Sequence, residues 1–336
     1  MFKASVDAML ERYWAASPRA VSAAERLFTA PGGFGADQMA WDHLAFRTFS
    51  VPGLGIDCLE AALQSFGFSR QGELEIPGRH VTAAWFAPPP LEPGGPPAYE
   101  QLPSALVSQV EVDALSPRAQ ATIRRHTARV PALGAAAAWA GALTGALPWG
   151  GPAPSWREYA ELMDESEDAA WVLVNGFTPV HLALATHRVR PRPDAPLAAA
   201  AGRLQSRGFA LNDADPSHIK TSAPAPGGGG VVRTSADGRL LQAATVADVV
   251  EFWFEGEREP FLVPGSYLAL VERHPLPEFE SLPPTALREA HLRQGFDAAA
   301  CDALFESTAL AAKAAAEAAA ADAAAAAAAE AVGHLQ

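Results

Sequence analysis

Two short segments carry side chains that could hold a metal beside an anion. The first is "WDHLAFRTF", residues 41–49, which follows the glycine-rich loop "TAPGGFGAD" and reads as a strand. Residues two apart on a strand share a face, so His43, Ala45 and Arg47 point the same way. Ala45 leaves space between an imidazole and a guanidinium. A neutral imidazole is a ready metal ligand, and a guanidinium grips a carboxylate through two parallel N–H bonds. The plain alternative is a partly exposed histidine and a salt-bridged arginine.

The second segment is "TPVHLALATHRV", residues 178–189, where His181, Ala183 and Ala185 share a face. Two histidines from separate strands, each beside an alanine-lined space, make two corners of an iron or zinc site. His187, next to Arg188, is expected at the exposed end of its strand. His80, His126, His218, His274, His291 and His334 fall in turns, charged helices or the tail and are expected to be solvated. A non-haem iron centre normally adds one carboxylate to two histidines. The obvious donor strand is "GSYLALVERH", residues 265–274. Its odd-numbered face carries Tyr267, Ala269 and Val271, with Glu272 on the other face. The pattern therefore supplies two nitrogens and no carboxylate.

The elements that must position these residues alternate irregularly. Helical periodicity opens the chain and breaks at Ser17-Pro18, and a second helix runs through Phe28. After the first strand come an amphipathic helix stopped by Gly67, strands at "HVTAAWFA" and "SALVSQVEV", and a helix from "SPRAQATIRRHT". A longer helix is expected over "PSWREYAELMDESEDAAWVLVNG" and another over "PDAPLAAAAGRLQSRGF", with late strands at "GRLLQAATVADVVEFWF" and "GSYLALVERH". Strands and helices mixed without strict βα alternation point to an α+β fold. Residues 1–308 read as a single domain. Residues 309–336 read as a low-complexity alanine-rich tail, strongly helical by propensity but lacking a bulky apolar stripe.

Composition narrows the partners. A chain of 336 residues, 49% hydrophobic, can bury a substantial core, and no stretch of it is apolar enough to span a membrane. A formal net charge of -13 argues against a nucleic-acid backbone or an anionic membrane surface. Cys58 and Cys301 make neither a disulfide framework nor a zinc pattern. Gly227 to Gly230 follow a proline and precede a strand, so they form a flexible loop rather than a phosphate cradle. The N-terminus starts in folded structure, which fits a cytoplasmic protein or an organellar one after removal of a transit peptide.

"DHLAFRTF", "GALTGALPW", "SEDAAWVLVNG", "HLALATHR", "LLQAATVAD", "PGSYLALVER" and "LFEST", in that order, resemble successive motifs of plant-type 2-oxoadipate dioxygenase/decarboxylases, also called hydroxyglutarate synthases. The resemblance runs from about Met1 to Thr308. It implies a mixed barrel-like β-sheet of vicinal oxygen chelate type, surrounded by helices, and a mononuclear Fe(II). It also implies conversion of 2-oxoadipate and O2 into 2-hydroxyglutarate and CO2 in lysine breakdown. His43 and His181 resemble the two histidine ligands, and Arg47 resembles the arginine that binds the substrate carboxylate. The family's third ligand, a glutamate, is replaced here by Ala269. Its asparagine before the second histidine is Val180, and a glutamate after Ser108 is Gln109. The chain is thus expected to be an iron dioxygenase, or a catalytically impaired relative that binds a 2-oxo acid or metal without turnover. A purely structural protein that keeps the fold is the third reading.

Overall fold

Pro18 fixes a helical φ directly after Ser17, and the N-terminal run divides there into α1 (Phe2–Ala16) and α2 (Pro18–Phe28). The computed structural model describes residues 2–130, 135–190, 196–212 and 232–299, and eight of the residues between 301 and 311. Next come β1 (Trp41–Phe49), α3 (Ile56–Ser65), β2 (Ser69–Ile76), β3 (Val81–Ala87) and β4 (Ser104–Val110). α4 (Pro117–Thr127) starts at Ser116, whose hydroxyl accepts the Ala119 N–H. α5 (Ala135–Thr144), α6 (Trp156–Glu165) and α7 (Glu167–Asn175) lead into β5 (His181–Ala185) and α8 (Pro196–Ser206). The last strands are β6 (Arg233–Thr234), β7 (Leu240–Ala244), β8 (Val249–Phe252), β9 (Phe261–Pro264) and β10 (Tyr267–Arg273).

Eight strands form one sheet in the order β2-β3-β4-β1-β5-β10-β7-β6, and β8-β9 form a separate hairpin. β1 runs parallel to β4 and β5 parallel to β10, while the other neighbours are antiparallel. The sheet curls into a half-barrel with helices around it, as the α+β reading expected. Its central strands β1, β5 and β10 are buried almost end to end. That explains their high apolar density on both faces. β10 is also held from outside, where the Tyr13 hydroxyl of α1 donates to the Tyr267 carbonyl.

Four local readings change. The helix expected across residues 154–176 breaks at Ser166, which is extended (φ -150°, ψ 102°) and whose hydroxyl accepts the Ala169 N–H to start α7. The strand expected through residue 189 ends at Ala185, and Thr186–Arg188 form a 3-10 turn. His187 is accordingly buried rather than exposed, with Nε2 3.1 Å from Glu289 Oε2. The late strand divides into β7, in the large sheet, and β8, in the hairpin. The edge strand β2 carries little apolar signal in the sequence, because "SRQGELEI" is largely polar and exposed. The glycine loop at 227–230 lies outside the described residues, as does nearly all of the tail at 309–336.

Candidate metal centre

Strand register gathers the candidate residues onto one face. Along one row of the sheet, Ser104 pairs with His43, His43 with Ala183, Ala183 with Ala269, and Ala269 with Ala244. In the next row Ala45 pairs with His181 and His181 with Tyr267. Residues directly opposite on neighbouring strands project to the same side. His43, Arg47, His181, Tyr267 and Ala269 therefore face one space, and all five are buried.

The two imidazoles meet there. His43 Nε2 lies 2.9 Å from His181 Nε2, with the rings nearly perpendicular at 83°. Two donors on adjacent corners of an octahedron, with metal–nitrogen bonds of about 2.1 Å, stand about 3.0 Å apart. The separation thus suits a pair of cis metal ligands. Phe296 closes over His43 edge-on at 4.7 Å, and the Tyr267 ring lies 4.8 Å from His181.

A network behind His43 fixes its orientation. Asp42 is next to it in sequence, and simple alternation would send the two side chains to opposite faces. The β1–β5 register shifts between Trp41 and His43, and this bulge turns the Asp42 carboxylate toward the ring. Asp42 Oδ1 lies 2.7 Å from His43 Nδ1. Both Asp42 oxygens also accept from Arg273, at 2.6 Å from Nε and 2.8 Å from Nη2. Arg273 Nη1 donates to the Arg293 and Gly295 carbonyls, which ties in the loop that carries Phe296. Burial alone would raise the Asp42 pKa, but the Arg273 charge and the His43 hydrogen bond hold it well below the usual carboxylate range. With Nδ1–H of His43 donating to Asp42, its Nε2 presents a lone pair. This carboxylate–histidine arrangement is the one that commonly supports a metal-binding imidazole.

Burial lowers the pKa of both histidines; His181 falls furthest, helped by the nearby His43 and Arg47. Both rings are neutral near pH 7, the state in which imidazole binds metal. His181 Nδ1 is buried and has no partner among the described residues, so nothing like Asp42 fixes its tautomer.

Arg47 is 1% exposed and anchored on one side only. Its Nη1 donates to Thr308 Oγ1 at 3.2 Å and lies 3.1 Å from Asp168 Oδ1. The guanidinium carbon sits 4.6 Å from the centre of the Phe305 ring and 5.4 Å from that of Trp171. Nε and Nη2 have no hydrogen-bond partner among the described residues. A buried guanidinium with two unused N–H groups on one edge is set up to receive a carboxylate.

The third corner differs. Ala269 is fully buried among Ala183 and Ala244, and no cluster of three His, Cys, Asp or Glu suited to a metal occurs among the described residues. Glu272 does face away, and its Oε2 accepts the Leu197 N–H at the start of α8. Gln109, which stands where the family has a glutamate, does not belong to this space, because it pairs with Thr48 and Thr82 on the opposite face. There its carboxamide accepts the Ile56 N–H of α3 and donates to Glu111. Val180 is buried just before β5, where its N–H donates to the Ala45 carbonyl and its own carbonyl accepts from Tyr267. Sequence reasoning missed Asp42, Arg273, Asp168, Phe296 and Thr308. Only Asp42 carried a nearby signal, its place beside His43.

Known proteins resemble this chain in sequence and in fold. The family model described as 2-oxoadipate dioxygenase/decarboxylase matches residues 10–276. The chloroplastic 2-oxoadipate dioxygenase/decarboxylase of Arabidopsis thaliana is 36% identical over 81% of this chain and 68% of its own length. The crystal structure of the hydroxyglutarate synthase from Oryza sativa, in complex with 2-oxoadipate, superposes with a TM-score of 0.77 at 33% identity, covering 91% of each chain. A glyoxalase-superfamily protein from Ralstonia eutropha shares the fold, with a TM-score of 0.57 at 20% identity over 86% of this chain and 83% of its own. With the matched segment spanning the strands that carry both histidines, Arg47 and Ala269, the chain belongs to the 2-oxoadipate dioxygenase/decarboxylase family.

Proposed function

We propose that this protein binds Fe(II) through His43 and His181 and a 2-oxo diacid through Arg47. In this reading it acts on 2-oxoadipate and O2 to give 2-hydroxyglutarate and CO2, at a rate limited by the lack of a third protein ligand. The observation that carries the reading is the 2.9 Å approach of the two Nε2 atoms on the same face as the two unused N–H groups of Arg47. When bound, the iron supplies a chelation point for the 2-oxo acid group and a means of activating O2.

The chain's own residues supply position and exclusion. Arg47 holds the distal carboxylate by a charge-assisted contact, and Thr308 and Asp168 keep the guanidinium from swinging away. Fixing one end of a flexible diacid sets where the other end lies against the histidines. Phe296, Phe305 and Trp171 wall the space with aromatic surface and keep bulk water out. Asp42 keeps the His43 lone pair aimed inward. Ala269 is what favours slow turnover, or binding without turnover, over full activity. A chloroplast designation on the Arabidopsis relative supports the organellar alternative for compartment, and the family resemblance supports a place in lysine breakdown.

The test is anaerobic Fe(II) loading followed by 2-oxoadipate and O2, with 2-hydroxyglutarate as the readout. Slow product formation that rises in Ala269→Glu is the expected result. Rapid wild-type turnover with no gain from the substitution would assign the third ligand to another group.

A further inference from the structure

The guanidinium of Arg47 is one of two that share a carboxylate. Asp168 Oδ1 lies 3.1 Å from Arg47 Nη1, and Asp168 Oδ2 lies 3.4 Å from Nη1 of Arg79. The Phe305 ring lies against both cations, its centre 4.6 Å from the Arg47 guanidinium carbon and 5.8 Å from that of Arg79. Arg79 comes from the turn Pro77–Arg79 between β2 and β3. The next residue, His80, has a left-handed backbone (φ 53°), the one non-glycine of this kind among the described residues. The Glu111 N–H donates to its carbonyl at 2.8 Å and holds it there. An uncommon backbone conformation is thus maintained at the turn from which Arg79 reaches Asp168.

The charges of this cluster are not balanced in its interior. Arg47 and Asp168 are both buried, and alone they would make a neutral pair. A neutral pair offers little to offset the cost of taking a second carboxylate out of water. The Arg79 side chain, 12% exposed, adds a second positive charge on the same Asp168. Its other partners lie toward solvent: Asp302 Oδ1 at 2.5 Å, 45% exposed, and Glu167 Oε2 at 3.8 Å, 36% exposed. Water screens those two carboxylates far more than it screens the buried groups. Two guanidiniums against one carboxylate leave the interior with one positive charge.

Resting on the assignment of a substrate carboxylate to Arg47, we infer that Arg79 is a positioning residue that sets the preference for a diacid. It acts through Asp168. By engaging that carboxylate from the outer side, it leaves Arg47 with a net positive charge for the distal carboxylate of the substrate. The incoming carboxylate then completes a balance of two cations and two anions. A 2-oxo acid without the distal carboxylate leaves the buried positive charge uncompensated and is disfavoured. Asp302 tethers Arg79 at the water edge and is not the source of the effect.

The experiment is calorimetric titration of the full-length chain, anaerobic and with Fe(II) present. The ligands are 2-oxoadipate and 2-oxohexanoate, which has the same carbon chain and no distal carboxylate. The quantity read is the ratio of the two dissociation constants. Arg79→Gln should lower the preference for the diacid roughly five- to tenfold, through weaker 2-oxoadipate binding, with little change for 2-oxohexanoate. Arg79→Lys, which keeps the charge, should retain most of the preference. Adding Asp168→Asn to Arg79→Gln removes the competing anion and should recover it, which the loss of a merely structural contact would not allow. Asp302→Asn should leave the preference at or above the wild-type value, and it carries the test if Arg79→Gln does not fold. An unchanged ratio in Arg79→Gln, no recovery in the double variant, or a loss in Asp302→Asn equal to that in Arg79→Gln would overturn this inference and leave Arg47 in its role. A wild-type chain with no preference for the diacid would overturn the Arg47 assignment itself.

Discussion

Arg47 is a full charge placed where almost no solvent reaches, held by Thr308 and Asp168 on one edge and, among the described residues, without a partner on the other. The planar fork is what this position uses, because a lysine ammonium could keep Asp168 but could not present two parallel donors to a carboxylate. Arg47→Lys should therefore weaken 2-oxoadipate binding by roughly tenfold or more, read by calorimetry, with little change in melting temperature. Asp42 predicts the opposite balance. Its removal leaves Arg273 charged, buried and without its carboxylate, so Asp42→Ala should cost about 3–5 kcal/mol in denaturant unfolding. The metal affinity of whatever protein remains folded should fall about ten- to a hundredfold, since His43 loses the partner that orients it. Residues were legible here to the extent that strand alternation governs them. His43, Arg47, His181 and the outward Glu272 follow parity. Asp42 breaks it through a bulge, and the face taken by Gln109 is not legible because the parity of β4 relative to β1 is set by pairing, which only the folded register reveals.

At the scale of elements, the chain was readable wherever a residue imposes a local rule. Pro18 and Gly67 end runs in the way their backbone chemistry requires. Ser166 was the harder case, since it lies within a continuous helical pattern. It breaks that pattern because its hydroxyl caps α7, which places Asp168 in the first turn, within reach of Arg47. The early end of β5 has a similar consequence. The 3-10 turn at Thr186–Arg188 draws His187 inward to Glu289, while Arg188 Nε lies 2.9 Å from the other Glu289 oxygen. Burial alone would raise the Glu289 pKa, but these two partners take it from 4.5 down to about 2. A carboxylate depressed in the folded state stabilises the protein above its unfolded pKa, and that stability is lost as pH falls through the folded value. Unfolding free energy should thus drop by ~3 kcal/mol between about pH 4.5 and pH 2 on account of this group. Glu289→Gln should flatten that part of an acid-unfolding series, measured by urea titration at each pH.

For the whole molecule, the site is assembled from both ends of the chain. β1 supplies His43 and Arg47, β5 and β10 supply His181 and Ala269, and Phe296, Phe305 and Thr308 close over them from the last described residues. The family match ends at residue 276, so this closing segment lies beyond it. A chain stopped after residue 311 should keep the wild-type melting transition, since the alanine-rich remainder has no apolar stripe to dock. One stopped after residue 295 should melt lower and lose 2-oxoadipate binding. The mixed character of the sheet was visible in the irregular order of elements, but its strand order was not, because neighbours such as β1 and β4 are brought together only by long crossovers. The claim on which the rest depends is that β1 and β5 deliver two imidazoles to one metal. Anaerobic Fe(II) titration by calorimetry, in the presence of 2-oxoadipate, tests it most directly. The account predicts a single Fe(II) per chain, lost in His181→Ala and in His43→Ala with the fold intact by circular dichroism. Iron binding that survives replacement of both histidines, or no binding to the wild-type chain at all, would contradict it.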